Sequence, residues 1–226
     1  MPIINMVYKK KKWWKPWANT IAYYKLDGDN TVNECSWKDK VLTNLWIIFG
    51  EYQWVDCAYF DGNSHYLYNN SSYWLTPNTS FTASVRVYYI MRNDWTNDIW
   101  YYWAWSNAVW IWGWWNYGSN RWLFWVLPWT NNMSTTQLPQ NVWSNLIYVY
   151  DNSNSTVKVY KNTELFISDT GTTSTLSDQR LVLWSWDNGS AAYWKWGMSE
   201  FIIEKWIWSE QDRANYYNLT KANYWL

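Results

Sequence analysis

The chain has 226 residues, with 18 basic residues against 18 acidic, one histidine and two cysteines. Balanced charge indicates no field steering it to nucleic acid or an anionic membrane. No run of about 18 apolar residues is present, so no membrane insertion is expected.

The opening "MPIINMVYKKKKWWKPW" sets its charges after its apolar stretch. A secretory signal has the reverse order, so none is expected here. A cytosolic product, a virion part and a piece of a longer surface protein all stay open. Lys9–Lys12 read as a solvated run, and residues 1–18 as an N-terminal arm or connector. Strand signals then run from end to end, as aromatic and β-branched runs between Asn, Gly, Ser and Asp turns. "NTIAYYKL" (Asn19–Leu26) is the first. "CAYFDG" and "SHYLYN" follow, with Asp61-Gly62-Asn63 predicting a hairpin between them, because Gly and Asn tolerate positive φ. The lone His65 sits at that turn. It would have to carry any Ser-His-Asp or Cys-His machine alone, and a turn or strand-edge role suits it better.

"SFTASVRVYYI" (Ser80–Ile90) is the longest clean strand. Phe81, Ala83, Val85, Val87 and Tyr89 share one face by the period of two, and Thr82, Ser84, Arg86 and Tyr88 share the other. "DIWYYWAW" and "AVWIW" pair next, and "RWLFWVL" follows. "NVWSNLIYVYD" is a strong strand, and "TVKVYKNTELFIS" is a hairpin about Lys161-Asn162-Thr163. "QRLVLWS" and "GMSEFIIEK" close the β series. "SEQDRANYYNL" then predicts a short helix, with Ser209 as N-cap and acidic residues in its first turn. No Pro/Gly/Ser linker and no internal repeat divides the chain. The expectation is all-β: one two-sheet antiparallel jelly-roll β-sandwich over residues 19–226, with a short C-terminal helix.

Cys35 and Cys57 are too few for a disulfide framework or a cysteine metal cluster. Two half-buried thiols fit them, and so does a single bridge.

Four stretches carry a resemblance: "NTIAYYKLDGDNTVNECSWKD", "AYFDGNSHYL", "NVWSNLIYVYD" with "KVYKNTEL", and "LVLWSWDNGSAAYWKWGMSEFIIEKWIWSEQDRANYY". In order and spacing they resemble the laminin-G-like, concanavalin A-like lectin/glucanase superfamily, in its bacterial and phage branch of adhesin-like modules. The resemblance spans about Asn19 to Tyr217. It implies a β-sandwich that binds glycans or protein ligands, sometimes with calcium. The chain departs from that pattern at Trp37, Trp54, Trp184 and Trp196, where the family tends to glycine. There are 26 tryptophans and 8 glycines, whereas average usage of about 7% would give roughly 16 glycines. Some bacterial lineages and their phages read UGA as glycine, and a table that reads UGA as tryptophan would write Trp at such sites. Trp143 fits the family as a tryptophan, so such recoding would not be blanket.

Three functions compete. Glycan binding would stack sugar C–H faces on aromatic rings, with Asn and Asp taking the hydroxyls. Its candidates are Trp112, Trp114, Asn116 and Tyr117 in a loop over residues 110–120, and Asp187, Asn188 and Tyr193 in a loop over residues 185–194. The concave sheet is the alternative surface. Glycoside hydrolysis needs two carboxylates about 5–10 Å apart. Glu200 and Glu204 share a strand face, but Ile202 stands where related glucanases have Asp, so no catalytic residue is assigned and no enzyme is expected. The third function is a structural or assembly module that binds protein. Calcium, if bound, would take Asp27, Asp29 and Asp61, which otherwise serve as turn formers; Ser199 replaces the closing-strand Asp that family members often carry. The sequence therefore points to a non-catalytic module binding a glycan or a surface protein, in an extracellular, cell-surface or virion setting.

Overall fold

The computed structural model describes residues 15–28, 41–45, 47–60, 66–69, 79–90, 99–103, 111–116, 121–126, 131–134, 141–170, 181–184 and 195–223. In chain order its strands are β1 (Thr20–Tyr24), β2 (Thr43–Leu45), β3 (Ile48–Tyr52), β4 (Val55–Phe60), β5 (Tyr66–Asn69), β6 (Phe81–Ile90), β7 (Ile99–Trp103) and β8 (Ile111–Asn116). They continue as β9 (Arg121–Val126), β10 (Asn131–Ser134), β11 (Trp143–Asp151), β12 (Thr156–Lys161), β13 (Glu164–Thr170), β14 (Leu181–Trp184) and β15 (Lys195–Glu204). Helix α1 (Glu210–Thr220) follows them.

The strands make two antiparallel sheets, a jelly-roll β-sandwich. One sheet runs β13-β12-β11-β6-β15-β4-β3, and the other β10-β9-β8-β7-β14-β5-β2. In the first sheet, β6 takes one edge of β15 along its whole length. The other edge is shared: β4 pairs with Trp196–Met198 and β1 with Phe201–Glu204. The register shifts between Met198 and Glu200, and this bulge separates the two partners.

Alternation builds the core. Phe81, Ala83, Val85 and Val87 of β6 meet Leu146, Tyr148 and Tyr150 of β11 and Phe201 and Ile203 of β15. Leu67 of β5 and Leu183 of β14 enter the same cluster from the second sheet, both fully buried. The two sheets therefore face one another across one apolar layer.

The outward face of the first sheet is also covered. Ile147, Val149 and Ile202 pack under Trp208 and Tyr216, with Trp17 and Trp206 at the margin. Trp17 falls within the segment expected to be an arm, yet its ring meets Trp206 edge-on at 5.0 Å. Helix α1 begins as the sequence predicts. Ser209 accepts from the Asp212 backbone N–H, and the Asp212 side chain accepts from the Ser209 N–H, closing a capping box.

Two expectations are corrected. The "CAYFDG" and "SHYLYN" strands are not a hairpin, because β4 lies in the first sheet and β5 in the second. A Gly-Asn turn signal specifies a reversal of the chain, but does not say which sheet receives the next strand. The predicted loop over residues 110–120 contains strand β8, hydrogen-bonded between β7 and β9. Gly113 and the Asn116-Tyr117-Gly118 run after it suggested a loop; Gly113 instead pairs within the sheet.

A two-residue reversal joins β3 to β4. Tyr52 pairs with Val55, leaving Gln53-Trp54 as the whole turn. Both residues are left-handed, with φ of 49° and 67°. That is the φ signature of the type I′ turn, whose twist matches the flanking strands. Among the described residues, no helix is long and apolar enough to cross a membrane.

Candidate functional site

The carboxylates that could have served hydrolysis stand on the outward face of the first sheet, and both are fully buried there. Glu200 faces Arg86 across adjacent strands. The Arg86 Nε donates to its Oε2 at 3.0 Å, and the Tyr216 hydroxyl donates to the same oxygen at 2.9 Å. The Arg86 guanidinium also lies over the Tyr216 ring, 4.9 Å from its centroid. Burial pushes the Tyr216 hydroxyl well above the ordinary tyrosine value, and the neighbouring Glu200 charge adds to the rise.

Glu204 anchors a different set. Thr20 donates to its Oε1 at 2.7 Å and the Trp208 indole N–H to its Oε2 at 2.6 Å, and the Trp206 indole N–H donates to that same oxygen. Burial raises the Glu204 carboxyl above its usual range, while these three hydrogen bonds pull it down. Both glutamates thus tie β1, β6, β15 and α1 together. Neither is open to a sugar.

The far end of this face carries four rings in sequence. Tyr59 stacks on Tyr52 at 5.7 Å, Tyr52 meets Tyr88 at 5.0 Å, and Tyr88 meets Trp143 at 5.5 Å. Trp143 lies over Gly197, where an added Cβ would stand 3.1 Å from the Cys57 sulfur and 3.2 Å from the Trp143 ring. Tyr88 and Trp143 are buried, so this ladder is packing for the sheet. Cys57 is a buried thiol beneath it.

The second sheet offers a different surface. Its strand pairing sets Tyr66 opposite Trp184, Trp184 opposite Tyr101, Tyr101 opposite Trp112, and Trp112 opposite Trp125. Directly opposed residues share a sheet face. Leu67 and Leu183, the neighbours of Tyr66 and Trp184, lie in the core. By the period of two, the five aromatic positions therefore fall on the face away from the core. They cross five adjacent strands, which at the usual strand spacing is about 19 Å. Trp114 and Asn116 alternate with Trp112 along β8 and fall on the same face, and Leu45 and Asn131 end the row on either side.

Of the sequence-predicted ligand residues, the fold thus places Trp112, Trp114 and Asn116 together on one strand. Tyr117, Asp187, Asn188 and Tyr193 lie outside the described residues. Of the expected calcium donors, only Asp27 is described, after β1 between Leu26 and Gly28, both left-handed; Asp29 and Asp61 lie outside, as do His65 and Cys35. Among the described residues, no three His, Cys, Asp or Glu side chains gather as a metal site. Sequence reasoning missed Tyr66, Tyr101, Trp125 and Trp184 as members of one surface. The period-two signal was present in "WIWGWW" and "RWLFWV", but strand order is what aligns them.

No protein-family model matches the chain, and no curated protein matches it in sequence. Solved structures do match in fold. One is domain 4 of AbnA, a GH43 extracellular arabinanase from Geobacillus stearothermophilus, in complex with arabinotriose. The TM-score is 0.62 at 15% identity, covering 89% of this chain and 98% of that one. A second is the botulinum neurotoxin type C structure, whose cell entry depends on interaction with two ganglioside molecules (TM-score 0.69, 9% identity, 88% of this chain and 51% of that). A third is the Trypanosoma rangeli sialidase in complex with sialic acid, at a TM-score of 0.66 and 9% identity over 92% of this chain. The chain spans about half of the toxin chain and 34% of the sialidase chain. At these identities the likeness is one of fold.

Proposed function

We propose that the chain is a non-catalytic glycan-binding module of the laminin-G-like, concanavalin A-like kind, carried by a surface or virion protein. The observation that carries this reading is the aromatic row Tyr66–Trp184–Tyr101–Trp112–Trp125 across the outward face of the second sheet. Sugar rings present flat C–H faces that aromatic rings cover, and a row about 19 Å wide suits an extended oligosaccharide. Asn116 and Asn131 stand at the margins of the row, residue types that hydrogen-bond sugar hydroxyls. The fold is shared with domain 4 of an arabinanase, solved in complex with arabinotriose, and with about a third of a sialidase chain, solved in complex with sialic acid. The burial of Glu200 and Glu204 supports binding without hydrolysis.

The test is a screen of immobilised oligosaccharides, arabinan fragments and sialylated glycans included, against the protein and its Trp112→Ala and Tyr101→Ala variants. Each variant is expected to weaken capture about tenfold at an unchanged melting temperature. Absence of any captured glycan, or full capture by both variants, would remove the reading. So would native peptides carrying glycine at positions 112, 125 and 184.

A further inference from the structure

Backbone strain singles out one tryptophan. Trp54 is the second residue of the two-residue turn between β3 and β4, and its φ is 67°. A hairpin turn with two left-handed residues favours Asn-Gly or Asp-Gly. Glycine takes the second place because it has no Cβ to meet the following carbonyl oxygen. A bulky residue in that region is a genuine outlier. Packing does not offset the strain here, because the indole is 76% exposed. Two other tryptophans show the contrast. Trp208 is fully buried and donates its indole N–H to Glu204. Trp143 is buried against Tyr88 and over Gly197. Trp184 and Trp196 stand within β14 and β15, where extended backbone accepts any side chain. The whole chain has 26 tryptophans and 8 glycines, about half the glycine of average usage.

The geometry points to glycine as the residue the cell inserts at position 54, from a UGA codon that its own translation reads as glycine. A translation that reads UGA as glycine does so at every UGA in the gene and leaves UGG tryptophans unchanged. The native turn is then Gln53 followed by glycine, and its surface carries no exposed indole. The inference concerns a turn of the first sheet, but the same translation would place glycine at any UGA among codons 112, 125 and 184, so those codons are sequenced too and separate this inference from the glycan reading.

The experiment is to sequence the gene at codons 54, 112, 125, 143, 184 and 208 and to obtain peptide mass spectra from the protein in its own cells. The expected result is UGA with glycine at 54, and UGG with tryptophan at 143 and 208. A UGG codon or a tryptophan-containing native peptide at 54 overturns the inference. Glycine at 143 or 208 also overturns it, because position-by-position backbone demand would then not be what separates the sites. In parallel, Trp54→Gly in the recombinant chain is expected to raise the melting temperature by about 2–4 °C. An unchanged or lowered melting temperature overturns the strain on which the assignment rests.

Discussion

Arg86 and Glu200 form a fully buried ion pair between a β-sheet and a helix. A charge in such a place is held by its partner, since water cannot reach it. Arg86→Met leaves the Glu200 carboxylate without its cation and is expected to cost about 3–5 kcal/mol of stability in urea unfolding. Adding Glu200→Leu is expected to recover most of that loss, because apolar side chains of similar volume replace a buried pair at little cost. If the double variant were as unstable as the single, the pair would be holding more than its own charges. At this scale the sequence showed the alternation of β6, which put Arg86 opposite the core residues. It could not show that the second face was covered too. Thr82, Ser84 and Tyr88 are buried with Arg86, and what buries this face includes a helix more than a hundred residues away in the chain.

Elements with strong local signals were legible. The alternation of "SFTASVRVYYI" appears as β6, the "NVWSNLIYVYD" run as β11, and the Ser209 cap as the start of α1. The cap lies at the surface, where its hydroxyl and the Asp212 carboxylate satisfy each other's backbone N–H groups. Ser209→Ala is expected to cost about 1 kcal/mol, measured by thermal or urea unfolding, with the rest of the fold intact. The elements misjudged had conflicting signals. Strand β8 holds Gly113, ends at Asn116 and is soon followed by Gly118, so these turn residues outweighed its period of two. Strands β2, β3 and β10 are short and carry glycine, asparagine, glutamate or serine among their few residues, so no aromatic or β-branched run marks them. They are recognisable only by the partners that pair with them.

At the scale of the molecule, the two sheets share one apolar layer, and Leu183 and Leu67 are the second sheet's contribution to it among the described side chains. Leu183→Ala is expected to cost about 2–5 kcal/mol, as for other buried leucines truncated in a packed core. Because the layer is common, indole fluorescence and far-ultraviolet circular dichroism should report one coincident transition. Two separated transitions would mean that the sheets unfold independently.

The sequence by itself determined the fold class, the positions of the long strands and the terminal helix with its cap. These are local properties, set by the period of two and by the chemistry of turns and caps. Only the tertiary structure decided that β4 and β5 belong to different sheets, that Glu200 is locked beneath α1 and Glu204 against Trp206 and Trp208, and that five aromatic positions from five strands fall in one row. It also decided that Trp54 stands at a left-handed turn. Each of these depends on strand order, and strand order is set by which apolar faces find one another across the whole chain.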